Sequence, residues 1–253
     1  DLRFEYYPAP DEIISVSGFY KKFKNPIELQ LRSLTGQNEK TAQMFYQNLE
    51  EASNLGFEVN FRKSFGFINN GSGILNKLFL SGNFTWMHSK LKLAGEDFNW
   101  GQPDGTTLVI VADQNRPLWG QAPYLINGGL LYAGDKLGLN LSYTRVGERI
   151  IYGSQEARYN EWEKARDVLD AQVSYRFLKN NKAEVKLNFS DLLNQQVIRY
   201  FNGYTETISE PDANGVKFKT TTVNKRTYNK DEDELRRSYN YGRNISLSFS
   251  YTF

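Results

Sequence analysis

The feature that most constrains this chain is a period of two. From Ile245 to Phe253 every second residue is large and apolar, and the residues between them are Ser246, Ser248, Ser250 and Thr252. Successive side chains of a β-strand point to opposite faces, so this stretch reads as a strand with one greasy and one wet face. The pattern recurs in "LRFEYY" (2–7), "ISVSGFY" (14–20), "NLGFEVNFRKSF" (54–65), "LFLSGNFTW" (78–86) and "YLINGGLLY" (124–132). It returns in "LGLNLSY" (137–143), "LDAQVSYRF" (169–177) and "AEVKLNF" (183–189), which makes about nine strands and no segment with helical periodicity.

The connections alternate in kind. Short ones, rich in turn-forming residues, fall at 8–12, 66–76, 133–136 and 178–182. Long, polar, Trp-bearing ones run about 24–46, 90–120, 153–164 and 203–238. A bacterial outer-membrane barrel has this asymmetry, with tight periplasmic turns and long outer loops. A soluble antiparallel sheet shows the same strand periodicity but has no reason to sort its loops by length.

Composition agrees with a barrel once the alternation is known. The longest apolar run, "LVIVA" at 108–112, is far too short for a transmembrane helix. A negative mean hydropathy is no objection, because half of every barrel strand faces water. With 31 basic against 29 acidic residues the chain lacks the basic stripe that nucleic acid binding requires. Cysteine is absent and His88 is the single histidine, so thiolate sites, histidine metal clusters and conventional triads cannot be assembled, and no cofactor is expected. We therefore expect no enzymatic activity; an outer-membrane hydrolase is the enzymatic rival, and no motif sets a Ser beside His88.

Assigning the apolar positions to lipid leaves Glu58, Asn60, Arg62, Asn140, Ser142, Asp170, Gln172, Arg176, Glu184, Lys186, Asn188 and Ser246 on the other face. Charges of both signs there imply a wide lumen, filled by water or by a polar plug. Tyr132, Tyr143, Tyr175, Phe177 and Phe253 at strand ends read as interfacial girdles. An odd set of strands leaves an edge that lipid does not tolerate. Together with an opening on "DLRFEYYPAP", this leads us to expect the C-terminal portion of a larger barrel over residues 1–253.

Several stretches together resemble the TonB-dependent outer-membrane receptors. They are "FYKKFKNPIE" (19–28), "PYLINGGLLY" (123–132), "RDVLDAQVSYRF" (166–177), "NFSDLLNQ" (188–195) and the ending "SLSFSYTF". In the fourth, Asp191 stands where the family pattern has Asn. The resemblance implies an all-β, antiparallel transmembrane β-barrel of about 22 strands, of which this chain supplies about nine. It also implies a plug domain in the same protein, contact with the TonB complex through an N-terminal part absent here, and localisation in the cell outer membrane of a Gram-negative organism. The function implied is energised uptake of a scarce nutrient; the alternative is a passive porin or channel subunit, and a plug ahead of residue 1 discriminates between them. Outer-membrane lipid, the barrel-assembly machinery and a surface lipoprotein are the other partners considered.

Trp100, Trp119 and Trp162 lie on or beside the long loops and are the candidate ligand contacts, since exposed aromatics among polar groups suit stacking on a ligand. The competing reading is that they pack the loops together. The run "DEDE" (231–234) beside Arg236 and Arg237 could bind a divalent cation or lipopolysaccharide, or be a solvated loop tip. Phe249, Tyr251 and Phe253 form a C-terminal aromatic row that, in the resembling proteins, is understood to be the signal read by the assembly machinery.

Overall fold

The computed structural model describes residues 1–33, 42–69, 73–92, 98–101, 107–110, 116–154, 157–208, 219–223 and 227–252. In chain order the strands are β1 (Leu2–Tyr6), β2 (Ile13–Lys24), β3 (Ile27–Ser33), β4 (Ala42–Asn48), β5 (Glu51–Ser64), β6 (Leu78–Lys92), β7 (Phe98–Gly101) and β8 (Thr107–Ile110). There follow β9 (Tyr124–Ala133), β10 (Leu137–Val146), β11 (Arg149–Tyr152), β12 (Glu161–Glu163), β13 (Arg166–Phe177) and β14 (Ala183–Ser190). The last five are β15 (Val197–Phe201), β16 (Tyr204–Ile208), β17 (Lys219–Val223), β18 (Glu234–Tyr239) and β19 (Asn244–Tyr251). Among the described residues the remaining helical pieces are single 3₁₀ turns.

Nine of these strands form one sheet in the order β1, β2, β5, β6, β9, β10, β13, β14, β19. Every pair in it is antiparallel, so the sheet is an up-and-down meander. These are the nine strands the alternation predicts. Among the described residues the sheet does not close on itself: β1 pairs only with β2, and β19 only with β14.

Register turns the sequence period into two continuous surfaces. Leu80, Leu130, Leu141, Ala171, Phe189 and Ile245 stand opposite one another across six strands as one apolar row. On this face Leu247 is 72% exposed and Phe249 65%, and the band of bare aliphatic and aromatic side chains is far larger than a water-soluble surface carries. It is the lipid-facing side of a membrane barrel.

The opposite face carries a hydrogen-bonded polar row. Asn60 Nδ2 donates to Ser15 Oγ (3.3 Å), and Asn83 Nδ2 to Asn60 Oδ1. Asn127 Nδ2 donates to Asn83 Oδ1 (3.4 Å), and Thr144 Oγ1 to Asn127 Oδ1 (2.9 Å). Further along, Gln172 Nε2 donates to Asn188 Oδ1 (2.6 Å) and Asn188 Nδ2 to Ser246 Oγ (3.2 Å). Each residue predicted from the sequence to face inward lies on this side.

The turns sort as expected by length, though three of the four long connections are longer than the sequence reading put them, and the second is the same length but shifted by three residues. The short ones span 7–12, 65–77, 134–136 and 178–182, the long ones 25–50, 93–123, 147–165 and 191–243. At the short end Lys77 Nζ meets Asp135 Oδ2 at 2.7 Å, tying two turns together. Lys63 Nζ donates to Glu12 Oε2 at 2.6 Å, which holds the Glu12 carboxyl below the ordinary glutamate range. The long connections are not plain loops; they contain the other ten strands, as three hairpins and a four-stranded sheet in the order β11, β12, β15, β18. The "SDLLN" turn after β14 has a local cause: Asp191 (φ 51°) and Asn194 (φ 47°) are both left-handed, a conformation short polar side chains tolerate. Asp191 Oδ1 accepts from the Asn194 backbone N–H at 3.2 Å, which closes the turn.

Candidate functional site: the knitted loops at one rim

Where the wall ends, its inward face changes character. Phe23, Ala52 and Leu91, from β2, β5 and β6, pack with Leu49 and Leu118 into a small apolar cluster. The connection carrying Leu118 therefore leans over the inner face and does not project away from it. Backbone hydrogen bonds fix that course: Leu91 N–H donates to Arg116 O (3.0 Å) and Met87 N–H to Pro123 O (2.9 Å).

A second knot joins three long connections. Leu31 N–H donates to Gly153 O (2.6 Å), and Gly153 N–H to Leu29 O (3.2 Å). Gly120 N–H donates to Ile150 O (2.6 Å). At its centre Glu28, on β3, accepts two hydrogen bonds from the Arg116 guanidinium, Nη1 to Oε1 (2.7 Å) and Nη2 to Oε2 (2.9 Å). Gln30 Nε2 (3.1 Å) and the Trp119 backbone N–H (3.2 Å) complete the carboxylate's shell. Both partners are fully buried. Gly153 is a necessity of the packing, because a Cβ there would fall 2.7 Å from Arg116 Nη2 and closer still to Glu28 Oε1.

The four-stranded sheet extends this body with a charged and an aromatic side. Pairing sets Arg149, Glu163 and Arg199 in a line. Arg149 Nη2 lies 2.8 Å and Arg199 Nε 3.3 Å from the two Glu163 oxygens. Glu161 lies one step along, 3.9 Å from Arg199 Nη1. Burial raises the Glu161 carboxyl above its ordinary range, against the pull of Arg199. On the other side Ile150, Trp162 and Tyr200 stand in register, and burial pushes the Tyr200 phenol far above its usual value.

The candidate tryptophans fall differently. Trp119 and Trp162, both half-buried, are brought to the same body, since the turn after Trp119 is bonded to Ile150 and Ile150 pairs with Trp162. Trp100 lies on β7, opposite Leu108 of β8, and its side chain is outside the described residues. Of the aromatic row, Phe249 lies 6.3 Å from Phe177, ring centre to ring centre, on the lipid side, and Tyr251 stands opposite Ala183. Phe253 is outside the described residues. The acidic run is not a bare loop tip. Asp233 is buried and accepts from the backbone N–H of Gly203 and of Asn229, both at 2.7 Å, and Glu234 pairs with Arg236 at 2.8 Å. Among the described residues no group of three or more His, Asp or Glu side chains could hold a metal ion.

Sequence reasoning missed Glu28, Arg116 and Gly153. The one available signal was a carboxylate inside the alternating run "IELQL" (27–31), and nothing local points from it to a partner 88 residues away.

A two-faced, up-and-down antiparallel wall with turns at one end and an interlocked loop body at the other defines a stretch of transmembrane β-barrel. The family model described as TonB dependent receptor-like, beta-barrel, matches residues 1–194, and the chain belongs to that family. Among solved structures, a mutant of the ferric enterobactin receptor PfeA from Pseudomonas aeruginosa is similar at 17% identity, with a TM-score of 0.45 over 77% of this chain and 25% of the receptor. The copper transporter OprC is similar at 12% identity and a TM-score of 0.50, again over 77% of this chain and 25% of the other. The chain thus spans about a quarter of the length of these neighbours and shares its fold with the copper transporter. No curated protein matches it in sequence.

Proposed function

We propose that this chain forms the C-terminal part of the barrel of an outer-membrane receptor that takes up a scarce nutrient, energised through the TonB complex. The plug domain belongs to the same protein and sits against the polar row that runs from Ser15 to Thr144. The unpaired edges of β1 and β19 are completed by strands outside this chain, because an open edge in hydrocarbon leaves backbone groups unsatisfied. The observation that carries the reading is the loop body held by Glu28 and Arg116, which leans over the inner face and offers a preformed surface at the mouth of the lumen. Trp119 and Trp162 are the ligand contacts on it, with Trp100 on the neighbouring hairpin. The barrel-assembly machinery reads Phe249, Tyr251 and Phe253, and a surface lipoprotein is a candidate partner at the loops.

The test uses the full-length protein in its own cells. Uptake of its nutrient should stop when TonB is deleted while binding at the surface persists. In planar bilayers the intact protein should conduct little. Uptake that survives loss of TonB, together with steady conductance, is the behaviour of a passive porin and overturns the reading.

A further inference from the structure

The lipid-facing side of the wall changes chemistry abruptly near the loops. Phe57 and Trp86 stand in register as an aromatic step, their ring centres 5.8 Å apart, and Tyr20, Leu55 and His88 form the next row. Above them come two rows without an apolar side chain: Lys22, Ser53 and Lys90, then Lys24, Glu51 and Lys92. All four lysines are exposed. Lys22 Nζ lies 2.9 Å from Glu51 Oε1, and Lys92 Nζ 3.4 Å from Glu50 Oε2. Lys24 and Lys90 have no ion-pair partner among the described residues, so four cations stand against two carboxylates.

Height places this array. On β6 the outward residues from Leu78 to Trp86 cover about 27 Å along the strand, or roughly 20 Å along the membrane normal at the usual tilt. That is close to the whole apolar band of an outer-membrane barrel. Lys90 and Lys92, four and six residues beyond Trp86, lie above the hydrocarbon, at the level of the headgroups. Their strands continue the lipid-covered surface without a break, so the occupant must be a lipid already lying against Phe57 and Trp86, and its headgroup must be anionic.

We infer that Lys22, Lys24, Lys90 and Lys92, with the Ser53 hydroxyl between them, form a docking site for the phosphorylated headgroup of an outer-leaflet glycolipid. Adjacent strands are about 4.8 Å apart, so the β2 and β6 lysines flank a gap of roughly 10 Å, wide enough for a phosphate between ammonium groups. The inference rests on the barrel reading of the wall.

The experiment measures lipid retained by the full-length protein after detergent exchange, using doubly phosphorylated lipid A, dephosphorylated lipid A and inorganic phosphate as probes. The parent should retain the phosphorylated lipid in preference to the dephosphorylated one, and millimolar inorganic phosphate should not displace it. Replacing the two unpaired lysines, Lys24→Gln with Lys90→Gln, should weaken retention of the phosphorylated lipid roughly thirtyfold, about fivefold per charge. Retention of the dephosphorylated lipid should not change, and Lys24→Arg with Lys90→Arg should behave as the parent. If the glutamine variant does not fold, a salt titration of the parent replaces it: added salt should release the phosphorylated lipid and not the other. Equal retention by parent and glutamine variant overturns the site, as does equal loss of both lipids or full displacement by free phosphate. A parent protein that never enters bilayers overturns the barrel reading itself, and this inference with it.

Discussion

The Glu28 carboxylate and the Arg116 guanidinium, 88 residues apart, meet in a fully buried two-pronged ion pair that ties the connection after β2 to the connection before β9. Breaking such a pair from one side strands a charge in a dry site and costs about 3 to 5 kcal/mol, whereas replacing both partners with apolar groups is far milder. Arg116→Met should therefore loosen the loop body severely, and the double variant Glu28→Leu with Arg116→Met should recover much of the loss. The measurement is protease cleavage within residues 25–50 and 93–123 of the membrane-embedded protein. Single and double variants cut at the same rate would mean the pair does not hold the loops.

Leu187 pairs across the sheet with Leu247 and Val173 on the lipid side, and its neighbour Asn188 bonds to Gln172 and Ser246 on the other. Leu187→Arg should cost roughly 2 to 4 kcal/mol in a bilayer. Asn188→Arg forfeits two hydrogen bonds and should cost about 1 to 2 kcal/mol. Urea unfolding of the reconstituted full-length protein compares them, and equal penalties would refute the assignment of faces.

Glu161 supplies a pH dependence in the loop sheet. Burial raises its folded-state pKa above the ordinary glutamate value. A group shifted upward contributes stability that is complete below the unfolded pKa and lost as pH rises through the folded one. Opening of the segments around β12 and β15, read from hydrogen exchange after correction for intrinsic rates, should become easier as pH rises from the ordinary glutamate range through the raised folded-state value. Glu161→Gln should flatten that slope, and a slope left intact in the variant assigns the dependence to another group.

Phe253 is expected to act in assembly, because β19 ends beside the short 178–182 turn, where Thr252 N–H donates to Lys182 O at 2.8 Å. Its free edge and aromatic row can be received by strand addition. Deleting Phe253 from the full-length protein should lower the amount assembled in the outer membrane well below that of a Leu247→Ala control. Assembly equal to that of the intact protein would reduce Phe253 to an interfacial anchor.

The sequence by itself determined the wall. A strand's facing is set by parity alone, so the alternation in "AEVKLNF" fixed which side of β14 meets lipid, and the turn-rich breaks between runs fixed nine strands and their order. Tertiary structure alone decided the rim. Strands such as β12, "EWE", are three residues long with a carboxylate at each end, too short to show a period and too polar to look buried. They form because β11 and β15 lie on either side to satisfy their backbone and because Arg149 and Arg199 neutralise Glu163. The Glu28 and Arg116 pair has the same character: each charge alone reads as solvated, and only the approach of two distant connections removes water from both.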